Sequence, residues 1–296
     1  MGATQKTQYI QDLIAWIEDN LTEALNINTI AQKSGYSKWH MQRLFKEMTG
    51  QTVAAYARKR RLTKSAMALR LTRLSLIDIA LRYGFDTQQN FTRAFRNQFA
   101  LTPHAYRYAS ELNTAAFHSR FQPVRDNAPQ PELVTLPEQV IYGEKEEYHC
   151  LYGDFVEDKQ RILSRYFSDF IRDNKGSRAS AFVTLEFGAC AQRKEYHRVS
   201  LMRGLKQREG EYSLQAQRDI LAAGLWLKLP FQGDPRDFSA FIIEAYYRHL
   251  AQPGLSRRPG PDLQTFDLIN CTPERLTGYF FMPVSCHLPA IVPLAS

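Results

Sequence analysis

Residues 1–108 carry one pattern written twice, and this duplication constrains the fold more than any other feature of the chain. Ile30, Ala31, Gly35 and Tyr36 recur at Ile79, Ala80, Gly84 and Phe85, an offset of 49 (79 − 30). The register then gains one residue. Met41, Arg43, Phe45, Lys46, Thr52 and Tyr56 recur at Phe91, Arg93, Phe95, Arg96, Thr102 and Tyr106, an offset of 50 (91 − 41). Each copy has apolar residues at helical spacing, a glycine where the chain must turn, and then a helix with a cationic face, which is the pattern of a helix-turn-helix. Two such units on one chain can address two stretches of major groove without a partner subunit.

The charge distribution points the same way. The chain has 38 Lys and Arg against 30 Asp and Glu; residues 1–110 hold 16 against 7, a net +9, and the remainder 22 against 23, a net −1. A half that meets phosphates needs such an excess, although a solvated basic face would give the same count. The four cysteines, Cys150, Cys190, Cys271 and Cys286, all follow the repeat and make no CxxC or Cys/His ligand spacing, so neither a metal site nor a cofactor is expected. No apolar run approaches the ~20 residues that span a bilayer, and the polar start Met1 to Gln8 has no signal-peptide core. A cytoplasmic protein with no membrane partner is expected.

Apolar spacing predicts a supporting helix over Tyr9 to Leu21 and the first helix of a helix-turn-helix over Ile27 to Lys33, with Gly35 at the turn. The next helix, Ser37 to Thr49, buries Met41, Leu44, Phe45 and Met48. Its opposite stripe is Trp39, Gln42, Arg43 and Lys46, spaced i, i+3, i+4, i+7 and so projecting together. Arg43 can donate two hydrogen bonds to guanine, Gln42 can pair with adenine, Trp39 can meet a thymine methyl, and Lys46 can meet a phosphate. A long helix from the capping Thr52 to Leu71 links the copies, with Tyr56, Leu62, Ala66 and Leu69 inward. Its run Arg58, Lys59, Arg60, Arg61 and Lys64 reads either as phosphate contacts or as simple solvated charge. The second copy begins at Ser75, turns at Tyr83-Gly84-Phe85 and restarts at Asp86 or Thr87. Phe91, Ala94, Phe95 and Phe99 bury one face of its reader, leaving Gln88, Gln89, Thr92, Arg93 and Arg96 on the other. Two surfaces with the same donor-rich chemistry at the same place in a repeat argue for DNA reading.

Gly35-Tyr36-Ser37-Lys38-Trp39-His40-Met41-Gln42-Arg43-Leu44-Phe45-Lys46, followed by Thr49-Gly50, resembles the first reader of the AraC/XylS family, in its MarA, SoxS and Rob group. The stretches Tyr83 to Arg96 and Thr102-Pro103-His104-Ala105-Tyr106-Arg107 resemble the second. The resemblance covers about residues 7–109. It implies two recognition helices entering successive major-groove faces of an asymmetric promoter site, usually as a monomer that bends the duplex and engages RNA polymerase. It also places Asn90 at a reader position where group members commonly carry threonine.

Ser110 to Pro131 loses apolar periodicity and holds Pro123, Asn127, Pro129 and Pro131, so a linker is expected, with separable modules on either side. Beyond it, alternation predicts strands over Leu133 to Tyr142, Ala179 to Phe187, Glu195 to Leu201, Tyr212 to Gln217, Gly224 to Phe231, Leu263 to Ile269 and Leu276 to Val284. Helices are expected over Phe155 to Asp173, with Ile162, Leu163, Tyr166, Phe167 and Phe170 inward, and over Phe238 to Leu250. The expected architecture is multidomain: an all-α tandem helix-turn-helix domain at 1–109, a linker at 110–131, and an α+β domain with an antiparallel sheet at 132–296.

Gly210-Glu211-Tyr212, Gly224 to Gly233, Asp237-Phe238 to Tyr247, Arg257-Arg258 and Pro283 make that last domain similar to the GyrI-like effector-binding domains carried by Rob-like members of the group. The resemblance implies a concave, aromatic-walled receptor for an apolar or amphipathic small-molecule effector. Its candidate lining is Tyr142, Tyr148, Glu186, Tyr212, Trp226, Tyr246, Phe266 and Tyr279. Members commonly place a glutamate where Tyr279 stands, so a neutral or anionic ligand is as well suited here as a cation. No Ser/His/Asp or Cys/His pattern stands out, and no catalytic residue is assigned; the alternative is a GyrI-like hydrolase fused to a DNA-binding module.

Overall fold

The computed structural model describes residues 3–23, 28, 31, 37–121, 130–152, 155–175, 177, 180–205, 216–252 and 254–287. They fall into two compact units, one from Met1–Arg70, Leu74–Tyr108 and Ala116–Ala128 and the other from Leu71–Arg73, Ala109–Ala115 and Pro129–Ser296.

The first unit is helical: α1 (Ala3–Asp19), α2 (Lys38–Thr49), α3 (Val53–Leu71), α4 (Leu76–Arg82), α5 (Gln88–Phe99) and α6 (Pro103–Tyr108). Ile10, Leu13, Ile14 and Ile17 of α1, with Leu21 after it, pack with Met41, Leu44 and Phe45 of α2 and with Val53, Tyr56 and Ala57 of α3. Of the helix expected at Ile27 to Lys33 only Asn28 and Ala31 are described, Ala31 being buried. The expected turn at Gly35 and Tyr36 lies outside the described residues. The turn of the second copy is described: Gly84 takes the left-handed φ of 71°. The N–H groups of Tyr83 and Phe85 bond back to the carbonyls of Ile79 and Ala80, which closes α4.

The duplication persists in three dimensions. Ser37 and Thr87 cap the two readers, Thr52 and Thr102 cap the helices after them, and Tyr56 and Tyr106 are both buried. The ring of Phe45 meets that of Tyr56 edge-on at 5.6 Å, and Phe95 meets Tyr106 in the same way at 5.4 Å. Helix α3, expected to have one inner side, is buried nearly all round: Arg60, Thr63 and Ser65 are covered along with Leu62, Ala66 and Leu69. The Thr63 and Ser65 hydroxyls donate to the carbonyls of Lys59 and Arg61 one turn earlier, which allows polar residues inside the unit.

The second unit is an antiparallel sheet with helices. Its strands are β1 (Leu112–Asn113), β2 (Glu132–Leu136), β3 (Gln139–Leu151), β4 (Ala181–Ala189), β5 (Tyr196–Leu205), β6 (Gln217–Leu221), β7 (Gly224–Gly233), β8 (Leu255–Arg257), β9 (Asp262–Phe266) and β10 (Leu276–Cys286). They run in the order β1-β8-β10-β9-β4-β5-β3-β6, with β7 also beside β10 and β2 beyond β7. Helix α7 (Phe155–Asp173) follows β3 and α8 (Phe238–Glu244) follows β7; the latter ends in a π-helical turn, Ala245–His249. The order is a strand-strand-helix-strand-strand unit twice, with the short β8 inserted.

One sheet face is covered by the helices: Phe167 of α7 meets Phe238 of α8 and Phe266 of β9, and Phe238 meets Phe231 and Phe280. The side chain of Ile162 lies outside the described residues. On the other face Ile141, Phe182, Met202, Leu221, Trp226, Leu263 and Phe281 form one buried cluster. These residues come from strands far apart in the order, so the sheet curls around them.

The described part of the stretch expected as linker is packed. Leu112 is buried in β1, the Thr114 hydroxyl donates to the Leu250 carbonyl at 2.8 Å, and Phe117 is buried in the helical unit. Pro123, Asn127 and Pro129 lie outside the described residues.

Candidate nucleic-acid interface

Helix α2 begins where the Ser37 hydroxyl accepts the His40 N–H and ends at Gly50, whose φ of 74° lets its N–H bond the Lys46 carbonyl. Such a cap contributes about 1 kcal/mol. With Met41, Leu44 and Phe45 buried, Trp39, Gln42, Arg43 and Lys46 all point outward, and Trp39 is 69% exposed. The Arg43 guanidinium carbon stands 5.1 Å from the Trp39 ring centre. This cation–π contact holds the arginine against its own helix, and among the described residues no acceptor takes the N–H groups it can turn to a base.

Helix α5 repeats the construction. The Thr87 hydroxyl accepts the Asn90 N–H, and Phe91, Ala94, Phe95 and Phe99 are buried. The opposite face exposes Gln88, Gln89, Asn90, Arg93 and Arg96, with Thr92 half-buried. Gln88, Gln89, Thr92, Arg93, Arg96, Asn97, Ala100 and Thr102 line an open depression of about 770 Å3. Asn97 was missed by sequence reasoning, although its position i+8 from Gln89 and i+4 from Arg93 places it on the same face.

The basic run of α3 divides differently from either sequence reading. Arg58 is exposed. Arg60 is 2% exposed and pairs side-on with Glu18, its Nε and Nη2 donating to the two carboxylate oxygens at 2.6 and 2.8 Å, while its Nη1 donates to the His118 carbonyl. The Tyr56 hydroxyl donates to Glu18 at 2.8 Å. Burial alone would raise the Glu18 carboxyl, but Arg60, Tyr56 and Lys64 outweigh it and hold it below its ordinary range. Lys64 is pushed down by burial and by Arg60. Arg61 donates to the carbonyls of Leu21 and Glu23. Arg60 and Arg61 therefore hold the unit together, because each finds oxygens inside it.

The eight candidate effector residues do not converge. Directly opposed residues on antiparallel strands share a face. On that basis Glu186, opposite Ser200, lies on the face of the curled cluster with Trp226 and Tyr279. Phe266 lies on the helix-covered face. Tyr246 does too, buried and donating to Asp262 while accepting from Arg257 at 2.6 Å. Tyr148 donates to Glu146 at the end of the sheet where Arg203 stacks on Tyr166 of α7; burial and Glu146 push its hydroxyl up to about 12. Tyr142 stands opposite Arg218 at the β3–β6 edge. Tyr212 lies outside the described residues.

On the curled face Glu186 is paired with Arg198 at 3.3 Å. Two cations sit on the candidate aromatics: the Lys228 ammonium lies 4.3 Å from the Tyr279 ring centre, and the Arg258 guanidinium 5.0 Å from that of Trp226. Lys228 also meets Glu132 at 3.0 Å. Among the described residues the buried Trp226 Nε1 and Arg258 Nε have no hydrogen-bond acceptor. Neither cation is among the lining candidates from sequence, although Arg258 belongs to the Arg257-Arg258 pair noted there and strand alternation places Lys228 on the same face as Trp226. Among the described residues no helix is long and apolar enough to cross a membrane, and no cluster of potential metal ligands occurs.

Comparison with known proteins places this arrangement. A helix-turn-helix domain family model matches residues 30–109. The transcriptional regulator Rob of Salmonella typhimurium is 32% identical over 258 residues, 87% of this chain and 89% of that protein. The right origin-binding protein of Escherichia coli has the same identity and coverage. The regulatory protein SoxS of Escherichia coli is 50% identical over 99 residues, 33% of this chain and 92% of SoxS.

Proposed function

Because this chain belongs to the AraC/XylS family of DNA-binding transcription regulators, in its MarA, SoxS and Rob group, we propose that it binds an asymmetric promoter site as a monomer. In this reading α2 and α5 enter neighbouring major-groove segments of double-stranded DNA, and the bound protein activates transcription by engaging RNA polymerase. The observation that carries it is the pair of exposed faces, Trp39, Gln42, Arg43 and Lys46 against Gln88, Gln89, Asn90, Thr92, Arg93 and Arg96, on two copies of one scaffold. Arg43 and Arg93 are equivalent in the repeat and are the natural bidentate partners of guanine; the amides suit adenine and Lys46 a phosphate. Competition of a selected duplex against random DNA tests the reading. The native chain should discriminate, and Arg43→Ala or Arg93→Ala should each reduce discrimination by about 1–3 kcal/mol. Equal affinity of the native chain for all duplexes would sink it.

The carboxy-terminal unit serves in this proposal as the sensor, taking an amphipathic small molecule on the curled face around Trp226 and Tyr279. The ring faces that would receive a cationic ligand already hold Lys228 and Arg258, and two buried N–H donors there lack acceptors among the described residues. An apolar body with an anionic or accepting head fits that chemistry better than a cation. Such a ligand controls transcription only by binding two states of the protein differently. Calorimetry of the full chain with amphiphiles of opposite charge tests this, and tighter binding of the cationic series would overturn it. With regulators as relatives and no catalytic group assigned, hydrolysis is left as the minor alternative, checked by turnover of reactive esters.

A further inference from the structure

The helical unit does not end with the repeat. After α6 the chain supplies a further segment to the helical unit, described over 116–121, which lies beyond the region matched by the family model, 30–109. Its two ends touch different copies. Phe117, 6% exposed, sets its ring edge-on to Phe99 at the end of the second reader helix, with centres 6.0 Å apart. Phe121 packs against the apolar core that carries the first reader helix.

Between these ends the backbone is fixed to α3. The His118 N–H donates to the Thr63 hydroxyl at 3.1 Å, the His118 carbonyl accepts from Arg60, and the Phe121 N–H donates to the Tyr56 hydroxyl at 3.3 Å. Gln98 of the second reader helix completes the link, donating to the Ala116 carbonyl at 3.1 Å and lying 3.4 Å from the Lys59 carbonyl and from the Thr63 hydroxyl. Tyr56 and Arg60, which receive the segment, are also the residues that hold Glu18 of α1.

We infer that residues 116–121 are a strap that fixes the rotation and separation of the two readers, with Phe117, Phe121 and Gln98 as positioning residues for DNA reading. Among the described residues, the other connection between the copies is α3. A single connecting helix transmits position but resists twist and bend only through its own packing. A second connection that runs from the Phe99 end of one copy to the core of the other, bonded to the connecting helix between, removes that freedom. The duplex makes this geometry matter: one base pair added between two contacted segments rotates one against the other by about 35° around the helix axis. A rigid pair of readers cannot follow that rotation, whereas a loose pair can.

The inference rests on the two-reader reading above. Its test uses the full chain and a duplex selected from random sequence, compared with the same duplex carrying one base pair more or one fewer between the contacted segments. The native chain should lose about tenfold or more in affinity on either change, within the range that lost base contacts produce. The Phe117→Ala/Phe121→Ala chain should lose about threefold or less on the same changes, and Phe117→Leu/Phe121→Leu should restore most of the difference. A helical unit weakened only in stability would bind all three duplexes less well in proportion, leaving the ratios unchanged. Should the alanine chain fail to fold, judged by its thermal transition, Gln98→Leu decides, since it removes the bond to Ala116 and those to α3 while keeping both apolar ends. Ratios equal to those of the native chain in the folded variant would overturn the strap, as would a native chain indifferent to spacing. Absence of any sequence preference in the native chain would instead overturn the two-reader reading.

Discussion

The two copies of the repeat present similar faces to DNA but are held from within by different physics. Behind the first reader the core is largely aliphatic, Ile10, Leu13, Ile14, Ile17 and Leu44, and beside it sits a buried ion cluster in which Arg60 and Tyr56 converge on Glu18. Behind the second lies a run of rings, with Phe85 on Phe91, Phe91 on Phe95, Phe95 on Phe99 and both Phe95 and Phe99 on Tyr106. Dispersion and burial hold the second copy in a way that is indifferent to pH, whereas the first depends on the charge of one carboxylate. Duplication preserved the surface chemistry and the caps and left the interior free to diverge, because many apolar fillings of similar volume support one backbone.

The sharpest way to break this contrast is to remove one charge of the cluster. Arg60→Ala should cost about 3–5 kcal/mol by leaving the Glu18 carboxylate buried without its partner. Phe95→Ala should cost about as much through a cavity. Urea titration of both chains at pH 7 and near pH 4 separates them. The folded Glu18 carboxyl lies below its ordinary value of 4.5, so its contribution is complete above that pH and is lost as pH falls through the folded value. Native and Phe95→Ala chains should therefore both lose stability on acidification, while Arg60→Ala should lose less. Equal acid sensitivity in all three would refute the role given to the cluster.

Arg60 also marks the limit of what was legible in sequence. The stripes of α2 and α5, their caps and the bounds of α7 follow from spacing within a dozen or so residues, and spacing is written locally. What makes Arg60 structural comes from Glu18 and His118, 42 and 58 residues away, and nothing in a run of five cations distinguishes the one that folds inward. The same reason separates the effector candidates. Alternation says that a strand has two faces but not which one the helices cover, and so Phe266 lies under α7 while Trp226 and Tyr279 take the curled side; Tyr246, in the turn after α8, reaches Asp262 on the helix-covered face. Leu112 and Phe117 fall in the stretch expected as linker, because two isolated apolar residues make no period, yet each is buried.

A smaller effect sharpens the comparison at the surface. Trp39 supports Arg43 through a ring contact, whereas no ring contact to Arg93 occurs among the described residues. Trp39→Ala should then weaken discrimination at the base read by Arg43 by about 0.5–1 kcal/mol, the worth of an exposed cation–π pair, without changing discrimination at the Arg93 base. Base-by-base substitution of the duplex measures both. A uniform loss at every position would assign Trp39 to the DNA backbone instead.

The smallest expected effect concerns the end of each reader helix. Gly50 and Ala100 are equivalent by the offset of 50, and both are left-handed, with φ 74° and 57° and an N–H bonded to the carbonyl four residues back. An alanine in that conformation costs about 1–2 kcal/mol because its Cβ crowds the following carbonyl. Glycine avoids the crowding but has more unfolded freedom to lose, which returns roughly 0.5–1 kcal/mol. Ala100→Gly should therefore stabilise the second copy by about 0.5–1 kcal/mol. Gly50→Ala should destabilise the first by a similar amount, since a Cβ at Gly50 would meet no atom within 4 Å and the backbone alone sets the cost. Hydrogen exchange of the Gly50 and residue-100 amides reads each copy separately. A loss of protection at residue 100 on going to glycine would mean that the Ala100 methyl makes contacts worth more than the strain it imposes, and the two helix ends would not then be the equivalent caps their dihedrals describe.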